Sequence, residues 1–167
     1  QCTSYLKDFN AKYCANKCQV PAYVSVDTVR SLIDHIANGK VNVLIGPNGS
    51  GKSNFLGFLY TYLGNAVLLK PPVNLLNLSI KENICASDYE VAQVFNSVVE
   101  GVALSKSEFS DGYNTIVAPK EVNISDGQAF RIALARTIYA AMTYSNCEYI
   151  LVDDNLLSVD ADMRSRI

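Results

Sequence analysis

Eight consecutive residues constrain this chain more than any other feature: Gly46-Pro47-Asn48-Gly49-Ser50-Gly51-Lys52-Ser53. They fit the spacing G-x-x-x-x-G-K-[ST]. Glycines at those places let successive backbone N–H groups turn inward and surround phosphates at the positive end of the following helix. The lysine supplies a compact charge for β- and γ-phosphates, and the hydroxyl of Ser53 is a ligand for Mg²⁺. A glycine-rich turn that merely contains a lysine would satisfy the spelling alone. The pattern therefore needs a strand before it and a helix after it. Val41-Asn42-Val43-Leu44-Ile45 reads as that strand, and Asn54 to Leu63 as a helix with an apolar face.

The rest of the chain alternates in the same way. Val26, Val29, Leu32, Ile33 and Ile36 fall at helical spacing before Gly39, although a half-buried strand also fits 25–38. Ala66–Leu69 reads as a short strand stopped by Pro71-Pro72, and a loop follows. A helix over about 88–104 carries Val91, Val94, Phe95, Val98, Val99 and Val102 as one stripe, which is core material. A second loop, with Gly112 and Pro119, leads to a helix over about 126–142, and 148–152 reads as a buried strand. Strands alternating with helices predict an α/β fold with a mainly parallel sheet flanked by helices.

With 167 residues the chain is one domain by length. Half of it is apolar (49%), 18% is charged, and the formal charge is −2, which argues against a nucleic-acid partner. No run approaches the roughly 18 apolar residues a membrane span needs. The chain starts at Gln1 and stops as a new helix begins at Ala161, so it reads as a piece of a longer polypeptide. Five cysteines in irregular spacing fit reduced thiols better than zinc, although Cys2, Cys14 and Cys18 lie close in sequence.

Two further segments carry chemistry. Tyr149-Ile150-Leu151-Val152 is an apolar strand that runs into Asp153 and Asp154. Beside a phosphate loop, the first carboxylate can hold Mg²⁺ through water and the second can polarise an attacking water. Between loop and strand stands Asn123-Ile124-Ser125-Asp126-Gly127-Gln128, followed by Phe130-Arg131-Ile132-Ala133-Leu134-Ala135-Arg136. Ser125 there is also an ordinary N-cap candidate for the helix that follows.

This last segment resembles the ABC signature, L-S-G-G-Q leading a helix with R-x-x-L-A-R-A. Ser79-Ile80-Lys81-Glu82-Asn83-Ile84 resembles the stretch just after the Q-loop of exporter ATPase domains. Residues Asp153-Asp154-Asn155-Leu156-Leu157-Ser158-Val159-Asp160-Ala161 resemble D-D-P-L-S-A-V-D-A of the multidrug-resistance-protein, or C, subfamily. The resemblance covers about 29–167, leaving 1–28 unassigned. It implies a P-loop NTPase fold of ABC type with a helical signature region, incomplete at its C-terminus. It implies ATP and Mg²⁺ as ligands, a second nucleotide-binding domain closing head to tail, and transmembrane domains outside the segment. The expected place is the cytoplasmic face of a membrane. Gly46 to Ser53 would hold the nucleotide, Ser53 and Asp153 the metal, and Asp154 would be catalytic. Ser125, Gly127 and Gln128 would reach the partner's nucleotide, and Tyr23 is the nearest candidate to stack on adenine.

The sequence departs from the family at several points. Pro71 stands where the Q-loop glutamine is expected, the antiparallel strands before it are shortened, and the H-loop histidine is absent. His35 lies on the wrong side to replace it. Asp154 replaces glutamate, one methylene shorter, and a misplacement of about 1 Å can cost roughly a hundredfold in rate. Asp126 replaces the first signature glycine. At about 6 Å and an effective dielectric of about 20, its like charge costs on the order of 2–3 kcal/mol against a polyanion. First nucleotide domains of the C subfamily often carry aspartate in place of the glutamate and hydrolyse poorly. ATP binding is thus expected to outlast ATPase turnover. A regulatory switch that binds ATP with little hydrolysis is one alternative. A soluble ATPase of the SMC or DNA-repair kind is another, disfavoured by the short spacing between Lys52 and Ser125.

Overall fold

The computed structural model describes residues 31, 33–34, 36, 39–86, 91–117, 124–144 and 146–153. Among them the order is α1 (Lys52–Leu63), β1 (Ala66–Leu69), α2 (Ile80–Cys85), α3 (Ala92–Gly101), 3-10 turns at Lys106–Glu108 and Gly112–Asn114, α4 (Asp126–Thr143) and β2 (Tyr149–Val152). The two strands are parallel, with Leu68 opposite Leu151 and Leu69 opposite Val152.

Side chains alternate across a sheet, so these two rungs face opposite ways. Leu69 and Val152 join the large core formed by α2, α3 and α4, including Ile80, Ile84, Phe95, Ile132 and Ala135. Leu151 packs instead on Phe58 and Leu59 of α1, with Ile33, Phe55, Leu56 and Leu63. The sheet is therefore sandwiched, with α1 on one face and α4 on the other.

Local chemistry accounts for the element ends. Gly64 closes α1 at φ 71°, a left-handed conformation that disfavours a Cβ, and its N–H reaches Tyr60 O. Ser79 caps α2 in a reciprocal capping box with Glu82. That six-residue helix lies in the stretch the sequence reading leaves as loop; the S-x-x-E spacing was its signal. An antiparallel bridge between Ser79 and Ile116 ties its start to the second 3-10 turn. The helix expected to reach residue 104 ends at Gly101, because Ala103 takes φ 52° and breaks the helical path. Its expected first turn, 88–90, lies outside the described residues. Ser31, Ile33 and Asp34 are helical, so the helical alternative holds for that part of 25–38.

The expected strand at Val41–Ile45 does not form. Residues 41–47 carry no regular structure, and Val41, Val43 and Ile45 are 82%, 75% and 87% exposed. A strand exists only within a ladder, and among the described residues β2 pairs with β1 alone. The apolar composition is that of a strand, but no neighbouring strand completes it. β1 lies at the expected residues and α4 is one residue longer than expected. β2 is not the buried strand expected, since Ile150 is 44% exposed at the edge of a two-stranded sheet, and Val91, expected in the apolar stripe, is 47% exposed.

Candidate functional site

The loop before α1 is shaped by glycine. Gly49 and Gly51 sit at φ 77° and 90°, where side chains are strained. A Cβ on Gly46 would meet Ser50 Oγ at 3.0 Å. Ser50 N donates to Pro47 O at 3.2 Å and Phe55 N to Gly51 O at 2.9 Å, so the turn runs directly into the helix. No side chain caps α1. Its first N–H groups and the positive end of its dipole are thereby left for an anion. Lys52 Nζ crosses the loop and donates to Gly46 O and Pro47 O, both at 2.8 Å. Pro47, Asn48 and Ser50 are exposed along the rim.

Ser53 Oγ donates to Asp153 Oδ1 at 3.0 Å, joining residues 100 positions apart. Asp153 is placed by the sheet, since its N–H donates to Leu69 O at 2.8 Å, one rung beyond the paired strands. Hydroxyl and carboxylate side by side form the hard oxygen set that Mg²⁺ takes, with water in its other positions. The residues fit a magnesium nucleotide: small-residue cradle, uncapped helix end, one ammonium, two oxygen ligands. Asp154 and Tyr23, expected to act on water and adenine, lie outside the described residues. So do His35, 158–160, Cys2, Cys14 and Cys18. Among the described residues no histidine, cysteine or carboxylate cluster could hold a metal.

Ser125, Gly127 and Gln128 begin α4. Ser125 is its N-cap: its Oγ accepts from Gln128 N at 3.2 Å, and Gln128 Oε1 accepts from Ser125 N at 2.9 Å. Ser125 is thus the ordinary N-cap expected for this helix, and capping leaves its hydroxyl hydrogen free of that bond. Asp126 occupies the first turn, where a negative charge favours the helix dipole even as it opposes an approaching anion. The structure joins the glycine loop to Asp153 and packs α4 on the face of the sheet opposite α1. No hydrogen bond or ion pair among the described residues joins the start of α4 to that loop.

Sequence reasoning missed two polar networks. Glu108 takes the Arg131 guanidinium in a two-point contact, Nη1 to Oε1 at 2.9 Å and Nη2 to Oε2, and accepts Ser105 N at 2.7 Å. Arg131 beside it holds its carboxyl below the ordinary range, against the opposing effect of burial. The spacing Ser105-x-x-Glu108 was readable as a capping box; its pairing with Arg131 was not. In the second network Arg136 donates through Nε to Asn83 O at 2.6 Å, through Nη2 to Asn83 Oδ1 at 2.7 Å and through Nη1 to Asn74 O at 3.1 Å. Burial pushes this guanidinium down to about 10. A cleft of about 340 Å³ lined by Asp34, Tyr62, Asn65 and Glu148 opens at the other end of β2 and includes none of the nucleotide-site residues.

No family profile matches the chain. Individual relatives do. ABC transporter gloK of Glarea lozoyensis is 32% identical over 79% of this chain and 11% of its own length. The ATP-dependent bile acid permease of Saccharomyces cerevisiae is 32% identical over 77% of this chain and 9% of its own. Human ATP-binding cassette sub-family C member 2 is 30% identical over 84% and 10%. The chain thus spans about a tenth of the curated relatives it matches. Among solved structures, a bacterial Atm1-family ABC exporter with ATP bound superposes at a TM-score of 0.61 and 21% identity, covering 73% of this chain and 25% of that one.

Proposed function

Because this chain belongs to the ABC transporters by homology over most of its length, we propose that it is an ATP-binding domain of an exporter-like transporter. The domain spans 29–167. The observation that supports this best is the hydrogen bond between Ser53 and Asp153, which brings two motifs 100 positions apart to one point. Backbone N–H groups from Gly46 to Ser53 surround the phosphates, and Lys52 binds the β- and γ-phosphates. Ser53 and Asp153 hold Mg²⁺, which supplies charge neutralisation there. Asp154 orients water for slow hydrolysis, and Tyr23 stacks on adenine.

Ser125, Gly127 and Gln128, at the start of α4, reach a nucleotide held by a second such domain. Closure of the pair drives transmembrane domains elsewhere in the protein, with this domain at the cytoplasmic face. Among the described residues no helix is long and apolar enough to cross a membrane. Asp126 in the first turn of α4 favours a second reading, an ATP-dependent switch with little turnover. Phosphate release measured beside binding separates the two. The named relatives are transporters, and none of them favours the DNA-repair alternative.

Calorimetric titration with Mg-ATP tests the site. Binding by the native chain that weakens at least about tenfold in Lys52→Ala is the expected result, the loss of one charged contact of about 1.5–3 kcal/mol. Absence of heat from the native chain overturns the proposal.

A further inference from the structure

Past the last paired rung of the sheet, Leu69 opposite Val152, the next residues are Lys70 after β1 and Asp153 after β2. Asp153 N–H still donates to Leu69 O at 2.8 Å, so the spacing of the ladder carries through to this pair. Neighbouring strands lie about 4.8 Å apart. Pro71 keeps the residue before it extended and has no N–H to continue the ladder, so Lys70 is the last residue to follow the strand alternation. That alternation decides which way Lys70 faces. Leu68 and Leu151 share a rung, and Leu151 packs on α1. Two residues on, Lys70 and Asp153 return to the same side. The bond from Ser53 Oγ, in the first turn of α1, to Asp153 Oδ1 at 3.0 Å agrees with that direction.

An exposed lysine is ordinarily just solvated. Lys70 is exposed, and among the described residues it has no hydrogen bond or ion pair, although a metal-ligand carboxylate stands on its rung. Asp153 is engaged by Ser53 instead, and Lys52 turns its ammonium onto Gly46 O and Pro47 O, both at 2.8 Å. Pro71, where a glutamine is expected, brings no hydrogen-bonding side chain to this end of the sheet. The cation there is Lys70, a compact charge on a flexible four-carbon stem.

We propose that Lys70 is a second cationic contact for the nucleotide, binding the terminal phosphate of Mg-ATP from the end of β1 while Lys52 binds from the loop. The inference rests on the reading that Gly46 to Ser53 and Asp153 hold a magnesium nucleotide. A metal in such a site bridges β- and γ-oxygens, so the phosphate that ADP lacks comes to the rung shared by Asp153 and Lys70. Lys70 therefore tells ATP from ADP, a distinction that Lys52, serving both phosphates, makes less sharply.

The native chain tests this without any variant. Its lysines are labelled with limiting acetic anhydride alone, with Mg-ADP and with Mg-ATP, and the label is read at each lysine by mass spectrometry. Lys52 should be slowed by both nucleotides, Lys70 by Mg-ATP far more than by Mg-ADP, and Lys106, in the 3-10 turn after α3, by neither. Calorimetry on Lys70→Gln gives the size of the effect. Mg-ATP should bind roughly fivefold more weakly, the worth of one exposed charged contact, and Mg-ADP less than about twofold. Lys70→Arg keeps the charge and should keep most of the affinity for ATP. Lys52 slowed while Lys70 is labelled alike with both nucleotides, or equal losses of ATP and ADP affinity in Lys70→Gln, overturns the role of Lys70 and leaves the site standing. Lys52 labelled alike with and without nucleotide overturns the nucleotide site, and the role of Lys70 falls with it.

Discussion

At the scale of single residues, two cations show how the same side-chain type is put to different use. Arg131 meets a carboxylate at the surface, whereas Arg136 is nearly buried and is met by oxygens of Asn83 and Asn74. Asn83, only 1% exposed, spends its own amide on Leu76 N, Leu76 O, Leu78 O and Ser79 O. One asparagine and one arginine thus fasten the loop after β1 to the middle of α4. Burial lowers the Arg136 pKa to about 10, so holding the charge there costs stability at neutral pH. That cost eases only as pH rises through about 10, and the three hydrogen bonds offset it. Arg136→Ala removes the donors and leaves buried acceptors unsatisfied at about 1–3 kcal/mol each. Urea denaturation should show a loss of roughly 2–4 kcal/mol. Arg136→Lys should recover little of it, because one ammonium cannot serve the forked geometry.

Among the elements, α1, α3 and α4 were legible because their signals are local, while the short α2 falls where the sequence reading expects loop, although its capping box was there to read. Ser79 and Ser125 each stand three residues before Glu82 and Gln128, and both pairs close reciprocal boxes. The stripe of α3 is buried at Phe95, Val98 and Val99. Val41–Ile45 was not legible in the same sense. Its residues say strand, but a strand is completed by a neighbour that local sequence does not supply. The cap at Ser125 and its proposed signature role can be separated experimentally. Ser125→Ala should cost about 1 kcal/mol of stability through the lost cap, and Ser125→Gly only a few tenths. Urea midpoints measure that difference. Both variants lack the hydroxyl, so both should impair ATP-dependent pairing with a second domain equally, whatever their stability.

Across the whole molecule, the two faces of the sheet are unequally supported. Among the described residues, the α4 face rests on a core of seventeen buried residues, while two, Phe58 and Leu59, anchor the α1 face. Among the described residues, the site loop and α1 are thus held by few buried contacts, which sets them at the low end of local stability. Hydrogen exchange should run fastest over 41–51, faster in α1 than in α2 and the middle of α4. Mg-ATP should slow exchange at 46–55 and leave Ile132–Thr137 unaffected. Equal protection of both faces would mean that the nucleotide acts on global unfolding instead of on this site.

The amino-acid sequence by itself determined the features that span a few residues. These are the glycine turn of Gly46–Gly51, the caps at Ser79 and Ser125, and the periods of α1, α3 and α4, because each depends on backbone conformation and neighbours along the chain. Tertiary structure alone decided which groups meet: Ser53 with Asp153, Glu108 with Arg131, Arg136 with Asn83, and the separation of α1 and α4 by the sheet. Those contacts join positions tens of residues apart. No local pattern specifies them, since they follow from how every element packs at once.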